Sequence, residues 1–378
     1  MMPRKDRAVC QLTSVHPPHD TRIFHKECRS LAEAGYEVTL IAPGPHKANG
    51  DGIRSMGPPR TERRLSRMVQ SLFRYPFIAA GTDASVVHFH DPELLPGAIV
   101  LRLMGRKVVY DVHEDVPADI MDKPWIARCL RLPVSVLMDV LERFAAVFMT
   151  AIVAATPKIA ERFPARKTYL VQNFPLLSEL PNSGTYEGQY AKRENLFGYI
   201  GSITELRGAK EMLEAIALCN ENISGVRLKL GGNIWPERLE MEMHSHAGWK
   251  YVDWLGWCDR PKMISELGGM RAGLVLFHPA KNHIEAQPNK LFEYMSAGIP
   301  LIASDFPLWR NIIETVGCGL LVDPRKPTEI ASAMMWLLDH PDEAEKMGKR
   351  GQAAVASTYN WESQRRVLIA FYSHLFPA

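Results

Sequence analysis

The sequence predicts an α/β protein made of two domains, each a doubly wound parallel sheet. Three observations predict it. The chain has 378 residues, long enough for two domains. Short apolar runs alternate with stretches of helical spacing along its length, the pattern of a parallel sheet covered on both faces. A polar stretch at 176–195, carrying Pro181, Gly184 and Gly188, interrupts this alternation, which then restarts. The division expected is 1–180 for an N-terminal domain, 195–360 for a C-terminal domain and 361–378 for a C-terminal helix.

The elements follow in order. RAVCQLTSV (7–15) reads as a buried strand and HPPHD (16–20) as a loop. From Thr21 the spacing of Ile23, Phe24, Cys28 and Leu31 is helical, with Gly35 as the stop. YEVTLIAPG (36–44) completes a β-α-β unit. ASVVHFHD (84–91) is a strand with a polar end, 92–105 is helical, and RKVVYDVHED (106–115) is a strand running into a polar loop. Leu132–Ala155 is the most apolar stretch. It holds Asp139, Glu142 and Arg143, so it reads as a helix packed in a core, running into a strand, and not as a membrane span. KIAERF (158–163) is a short helix and KTYLVQNFP (167–175) a strand. Beyond the linker, strands are expected at 196–203, 226–233, 250–257, 272–279, 299–305 and 317–323, with helices between them and a helical end from Pro327.

Composition narrows the function. Hydrophobic residues make up 46%, enough for a core in each domain. The net charge of +3 is small for this length and no strip of cations and aromatics recurs, which argues against nucleic acid. The six cysteines form no CxxC, so reduced cytosolic thiols are expected instead of disulfides or zinc. The N-terminus has no apolar segment of a signal peptide.

Ligands of open parallel sheets bind beyond the carboxyl ends of strands, so the polar residues there are the candidates. In EAQPNKLFEYMSAGIP (285–300), Asn289 is a good N-cap for a helix from Lys290 to Ala297. The N–H groups of residues 289–291 then make an anion site suited to a diphosphate, with Glu285 before it and Glu293 in the first turn. The same spacing also fits an ordinary junction with two surface acids. In YIGSITELRGAKEML (199–213), Gly201-Ser202 ends a strand and Arg207-Gly208 precedes a helix, which also suits phosphate, although a solvated arginine fits equally. His113 in DVHED stands past a strand end, where it serves either structure or chemistry. His88 and His90 share one side of their strand with Asp91 at its end. They form a polar strand end or, as the weaker alternative, part of the metal site of a hydrolase. RTERRLSRMVQSLFRYPF (60–77) interleaves Arg60, Arg63, Arg64, Arg67 and Arg74 with Leu65, Met68, Leu72 and Phe73. It suits an anionic membrane surface or the charged face of an ordinary helix.

Nearly the whole chain resembles the GT4 family of retaining, nucleotide-sugar-dependent glycosyltransferases with the GT-B fold. The carriers are DTRIFHKECRSLAEAGYEVTLIAP (20–43), VVHFHDPELLPGA (86–98), VVYDVHED (108–115), GYIGSITELRGAKEMLEAI (198–216) and EAQPNKLFEYMSAGIPLIASDFPLWRNII…GCGLLVDP. The last contains a pattern similar to the family's E-x7-E signature and is the most specific.

The resemblance implies two Rossmann-like domains facing a cleft, with the C-terminal helix returning to the N-terminal domain. It assigns Glu285 to the transferred sugar, Glu293 to the ribose and the backbone around Asn289, Lys290 and Leu291 to the diphosphate. Arg207 would neutralise the leaving diphosphate, with Gly201 and Ser202 beside it. His113 would contact donor sugar and acceptor, and Trp257 would lie near the base. HPPHD replaces the family's glycine-rich loop, so Asp20 and Arg22, with Asp91, are assigned to the acceptor. Ser202 stands where many members have arginine. No DxD motif is present, and the implied reaction needs neither metal nor cofactor.

The resemblance implies a UDP- or GDP-sugar as donor and a glycan or lipid-linked acceptor in cell-surface polysaccharide synthesis. The implied location is the cytoplasm or the inner face of the plasma membrane. A non-catalytic subunit of the same fold is the alternative.

Overall fold

The computed structural model describes residues 7–45, 52–61, 64–123, 126–179 and 190–376. The chain divides into two compact units, one of residues 1–173 with 361–378 and one of residues 174–360. The 180–189 part of the expected linker and Arg63 lie outside the described residues.

The N-terminal unit carries a seven-stranded parallel sheet. Its strands are β1 (Ala8–Leu12), β2 (Glu37–Ile41), β3 (Ile53–Met56), β4 (Val86–Phe89), β5 (Lys107–Val112), β6 (Ala151–Ala154) and β7 (Thr168–Leu170). Their order across the sheet is β3-β2-β1-β4-β5-β6-β7. β1 sits where the order reverses, pairing Val9 with Val38 on one side and with Val86 on the other. Ligands of doubly wound sheets gather at such a reversal. The helix Trp361–Leu375 belongs to this unit: Trp361 Nε1 donates to Ser30 Oγ at 2.9 Å, and the Gln172 amide donates to Gln364 Oε1 at 2.8 Å.

The C-terminal unit carries six parallel strands: β8 (Leu196–Ile200), β9 (Arg227–Gly231), β10 (Val252–Trp254), β11 (Ala272–Val275), β12 (Leu301–Ser304) and β13 (Gly319–Val322). Their order is β10-β9-β8-β11-β12-β13, with the reversal at β8. Its core is continuous from Phe197 and Leu228 through Leu274 and Met295 to Trp309 and Met334, all fully buried.

Three sequence expectations change. β3 was not foreseen: IRSM is short, lies at the sheet edge and is apolar only at its two ends, Ile53 and Met56. The helix Val116–Asp122 was not foreseen either, although Asp115 caps it through Ala118 N at 3.2 Å and Pro117 lies in its first turn. The long helix runs Arg128–Phe148, but only Glu142, Ala145 and Ala146 of it are buried. It is not a core helix; most of its leucines and valines face outward.

The ends of β8 and β9 meet at a close approach of two glycines. The Gly201 amide donates to Gly231 O at 2.7 Å, and a Cβ on Gly232 would lie 2.0 Å from Gly201 O. Gly232 also has φ +125°, which L side chains rarely adopt. Gly232→Ala should therefore lower stability by more than about 2 kcal/mol. Gly225→Ala, at φ +80° with open space around it, should cost only about 1 kcal/mol. Chemical denaturation of the two variants checks the ranking.

Candidate functional site

In the C-terminal unit, the helix Asn289–Ser296 begins beside the carboxyl end of β8. Lys290 fixes it there. Its Nζ donates to Ile200 O at 2.5 Å and lies 5.1 Å from the Tyr199 ring centroid. A side chain on Gly201 would lie 2.0 Å from that Nζ, so glycine is what lets the ammonium pass. Tyr294 OH accepts from Ile200 N at 3.3 Å, a second tie between helix and strand. The opening N–H groups of a helix have no acceptor one turn back and carry the positive end of its dipole.

These residues line a pocket of about 390 Å³, built from Gly201, Arg207, Gly232, Asn289, Lys290 and Glu293 with Ile200, Cys258, Met263, Phe277 and Pro288. Arg207 is held at its edge. Its Nη1 donates to Ser202 O at 3.1 Å, and its guanidinium lies 5.3 Å from the Phe277 ring centroid. The turn Glu205–Arg207 is tied to the end of β11 by His278 N donating to Leu206 O at 2.8 Å. Glu293 is buried within the lining. The pocket thus combines two cations, a helix start and a buried carboxylate.

The helix start differs from expectation. Pro288 is the capping residue and Asn289 is the first helical one, with no side-chain cap. A proline has its φ already set for this place. The Leu291 amide turns back to Pro288 O at 3.1 Å, and its side chain is in the core. Glu293 therefore stands beyond the first turn. Glu285 ends the short helix Lys281–Ile284, half-buried, and is not among the residues lining the pocket. Trp309 Nε1 donates to Ala286 O at 2.7 Å and so holds the backbone next to it. Ser202 is exposed and Trp257 is 66% exposed; neither lines the pocket, whereas Cys258 does.

In the N-terminal unit, the carboxyl ends of β1, β4 and β5 surround a buried ionic cluster. Arg22 clasps Asp111, with Nη2–Oδ2 at 2.9 Å and Nε–Oδ2 at 3.2 Å, and its Nε lies 3.1 Å from Glu27 Oε1. It also donates to Val171 O at 3.1 Å. The guanidinium assigned to an acceptor is thus committed inside the unit. Asp20 caps the helical segment Thr21–Cys28, accepting from the amides of Arg22 and Ile23 at 2.8 and 2.9 Å. Burial opposes its charge, yet hydrogen bonds from His16 and these amides hold its carboxyl far below the usual range.

His88 and His90 stack against each other between Glu27 and Asp111, all of them buried. Tyr372 OH lies 2.7 Å from His88 Nδ1, and His90 Nε2 lies 2.7 Å from Gln11 Oε1. Glu27 with His88 and His90, and His90 with Asp111 and His113, are spaced closely enough to hold a metal ion. Arg22 already lies on both carboxylates, however, so a divalent cation would have to sit against a guanidinium. Two carboxylates face one guanidinium here. Burial and the neighbouring Asp111 push the Glu27 carboxyl well above its usual range. Burial also opposes charge on Asp111, but Arg22 outweighs it and holds that carboxyl well below. Of the two acids, Glu27 is the one whose charge the surroundings disfavour.

Above this cluster lies a pocket of about 350 Å³ lined by His16, Arg67, His90, Asp91, Glu93, His113, Glu114, Asp119 and Lys123, among others. His113 Nε2 lies 3.2 Å from His16 Nε2, and His113 Nδ1 lies 3.5 Å from Asp111 Oδ1. Asp91 accepts from Thr13 Oγ1 and Ser14 N, both at 2.7 Å, and faces His16 at 3.5 Å. Burial opposes protonation of His16, but Asp20 and Asp91 more than offset it and raise its pKa.

Family models match both halves of the chain. Residues 21–169 match a glycosyl transferase 4-like domain, and residues 187–354 match the glycosyl transferases of group 1. The chain belongs to the GT4-type glycosyltransferases. Solved structures of the GT-B fold agree. Sucrose-phosphate synthase from Thermosynechococcus elongatus superposes with a TM-score of 0.77 at 16% identity, covering 98% of each chain. Anabaena HepE in complex with UDP gives 0.71 at 12% identity over 97% of this chain and 100% of that one. WaaG, a glycosyltransferase involved in lipopolysaccharide biosynthesis, gives 0.70 at 12% identity over 96% and 99%. At such identities the likeness carries the fold. D-rhamnosyltransferase WbpZ of Pseudomonas aeruginosa is 30% identical over 119 residues, and this match spans only 30% of this chain and 30% of that protein.

Sequence reasoning on this GT4-type chain missed Gly232, Met263 and Phe277 in the C-terminal pocket and Glu27, Gln11 and Tyr372 in the N-terminal cluster. The glycine pair at the end of β9 was a legible signal. Tyr372 was not, since it meets His88 across 284 positions of sequence.

The cluster makes a stability prediction. Asp111→Asn should cost about 3–5 kcal/mol, because it leaves Arg22 buried without its clasping carboxylate. Glu27→Gln keeps the shape of a neutral acid and should cost far less at pH 7. Burial pushes the His88 imidazole down from 6.5 to about 4. Unfolding then takes up a proton in that window, so stability should fall as pH drops from 6.5 towards 4. Denaturation midpoints across pH check both statements.

Proposed function

We propose that this chain is a retaining glycosyltransferase that moves a sugar from a UDP- or GDP-sugar to a glycan or lipid-linked acceptor in cell-surface polysaccharide synthesis. The observation that carries the reading is the C-terminal pocket, where a helix start, Arg207 and Lys290 converge beside Glu293. That is the chemistry of a nucleoside diphosphate: cations and N–H groups for the phosphates, a carboxylate for ribose hydroxyls. Its support from relatives is that HepE was solved with UDP and with UDP-glucose, and that WbpZ is named a rhamnosyltransferase.

In this reading the N–H groups of Asn289 and Lys290, with Arg207, hold the diphosphate. Lys290 places its charge beneath it and Glu293 takes the ribose. Gly201 and Ser202 shape the phosphate turn, and Trp257 flanks the base with its loop. Glu285 meets the sugar near the reacting carbon. The bond from the anomeric carbon to the diphosphate oxygen breaks, and the acceptor oxygen bonds to that carbon on the same face. The acceptor proton passes to the leaving diphosphate. Charge grows on the diphosphate as the bond breaks, so fixed cations stabilise the transition state more than the ground state. No divalent metal takes part.

In the N-terminal pocket, Asp91 and His113 serve the acceptor hydroxyls. Asp20 acts through His16, and Arg22 supports the pocket from below without touching substrate. A cytoplasmic location, peripheral at the inner membrane face, fits six cysteines that are all free.

Arg207→Ala should lower kcat by about 10²–10³-fold, and Glu285→Gln should lower it without weakening the nucleotide. A radiolabelled nucleotide-sugar transfer assay, run beside a thermal-shift screen of UDP- and GDP-sugars, checks this. Unchanged transfer in both variants would show that the site is misplaced.

A further inference from the structure

The helix Arg128–Phe148 is inside out. A surface helix normally turns its apolar stripe to the core and its charges to water. Here the polar side points inward. Glu142 is buried, accepting from Tyr110 OH at 2.7 Å and pairing with Arg162, while Asp139 also receives Arg162 at 2.9 Å. Ser135 Oγ donates to Pro117 O at 2.7 Å. The side turned away from the unit carries Leu130, Val134, Leu137, Leu141 and Phe144, all exposed.

This face continues across its neighbours. The helix Leu95–Leu103 packs against Arg128–Phe148 on one side and against the helical stretch 70–80 on the other. Those neighbours expose Leu103 (75%), Met104 (60%), Phe73 (66%) and Phe77 (80%). Three adjacent helices thus each expose large apolar side chains, more than the scattered exposed apolar residues of a soluble surface.

Its charge is mostly positive. Residues 66–80, 95–104 and 128–148 contain six arginines, and their acids are Asp139, paired with Arg143 and Arg162, and Glu142, paired with Arg162. Arg74, Arg102 and Arg128 are exposed and form no ion pair among the described residues. No helix among the described residues is long and apolar enough to cross a membrane. Apolar side chains framed by unpaired arginines match the boundary between acyl chains and anionic headgroups.

We infer that this flank of the N-terminal unit, centred on Arg128–Phe148, docks on an anionic phospholipid surface. The segment 66–77 supplies one edge of it. A second copy of this chain is the competing occupant, but outward arginines on both copies would then face one another. If the transfer reading above holds, docking here also selects the lipid-linked acceptor over a free glycan.

The test is cosedimentation of the full chain with vesicles of phosphatidylcholine alone and of phosphatidylcholine with phosphatidylglycerol. The paired variants are Leu137→Glu/Leu141→Glu and Arg74→Glu/Arg102→Glu, all at exposed positions. The inference expects binding to the anionic vesicles only, weakened by salt and reduced at least about tenfold by either pair. Nucleotide-induced thermal shifts should stay unchanged in both pairs, which separates failure of docking from failure of the donor site. Absent vesicle binding, or binding that both pairs leave intact, overturns it. So does a vesicle-free dimer by analytical ultracentrifugation that Leu137→Glu/Leu141→Glu dissociates.

Discussion

The candidate donor site depends on one close approach, the passage of the Lys290 ammonium over Gly201 to the carbonyl of Ile200. That contact seats a helix start on the end of β8 and puts a positive charge beneath it. Everything else in the pocket is arranged around it. Gly232 keeps β9 from crowding Gly201, the Tyr294 hydroxyl caps the Ile200 amide, and Arg207 closes the edge against Phe277. A side chain at Gly201 or a shorter cation at 290 would separate helix from strand. The cost of bringing backbone this close is met by glycines with left-handed or unusual φ, which only that residue takes up easily.

The N-terminal unit solves a different problem. Its strands β1, β4 and β5 end in polar side chains that are buried, and buried charge is tolerated only when paired. Arg22 and Asp111 supply the pair, the charge of Glu27 is disfavoured by burial and by Asp111, and Gln11 and Tyr372 each reach one ring nitrogen of the stacked histidines. The result is a floor under a pocket lined by His16, Asp91 and His113 among others. Because Tyr372 comes from the last helix, the end of the chain takes part in building that floor.

Much of this was legible in the sequence. Strand and helix alternation gave both sheets, and the E-x7-E stretch holds the start of the helix Asn289–Ser296. The errors have physical causes. Asn289 is a strong capping residue in isolation, but Pro288 has the fixed φ and takes the cap. Arg22 looked available because a sequence does not show that Asp111, 89 positions on, will clasp it. The stretch from Leu132 was read as core because apolar content was weighed without asking which way the charges point. Asp139 and Glu142 face inward to Arg162, and that orientation turns the leucines out.

The central claim is that the pocket between Gly201, Arg207 and Asn289 binds a nucleoside diphosphate without a divalent metal. Titration calorimetry of UDP and GDP into the chain, in buffer containing chelator, tests it most directly. The account predicts one-to-one binding of at least one of the two, weakened about tenfold or more by Glu293→Gln and by Lys290→Met. Binding that appears only when magnesium or manganese is restored, or that neither substitution weakens, would contradict it.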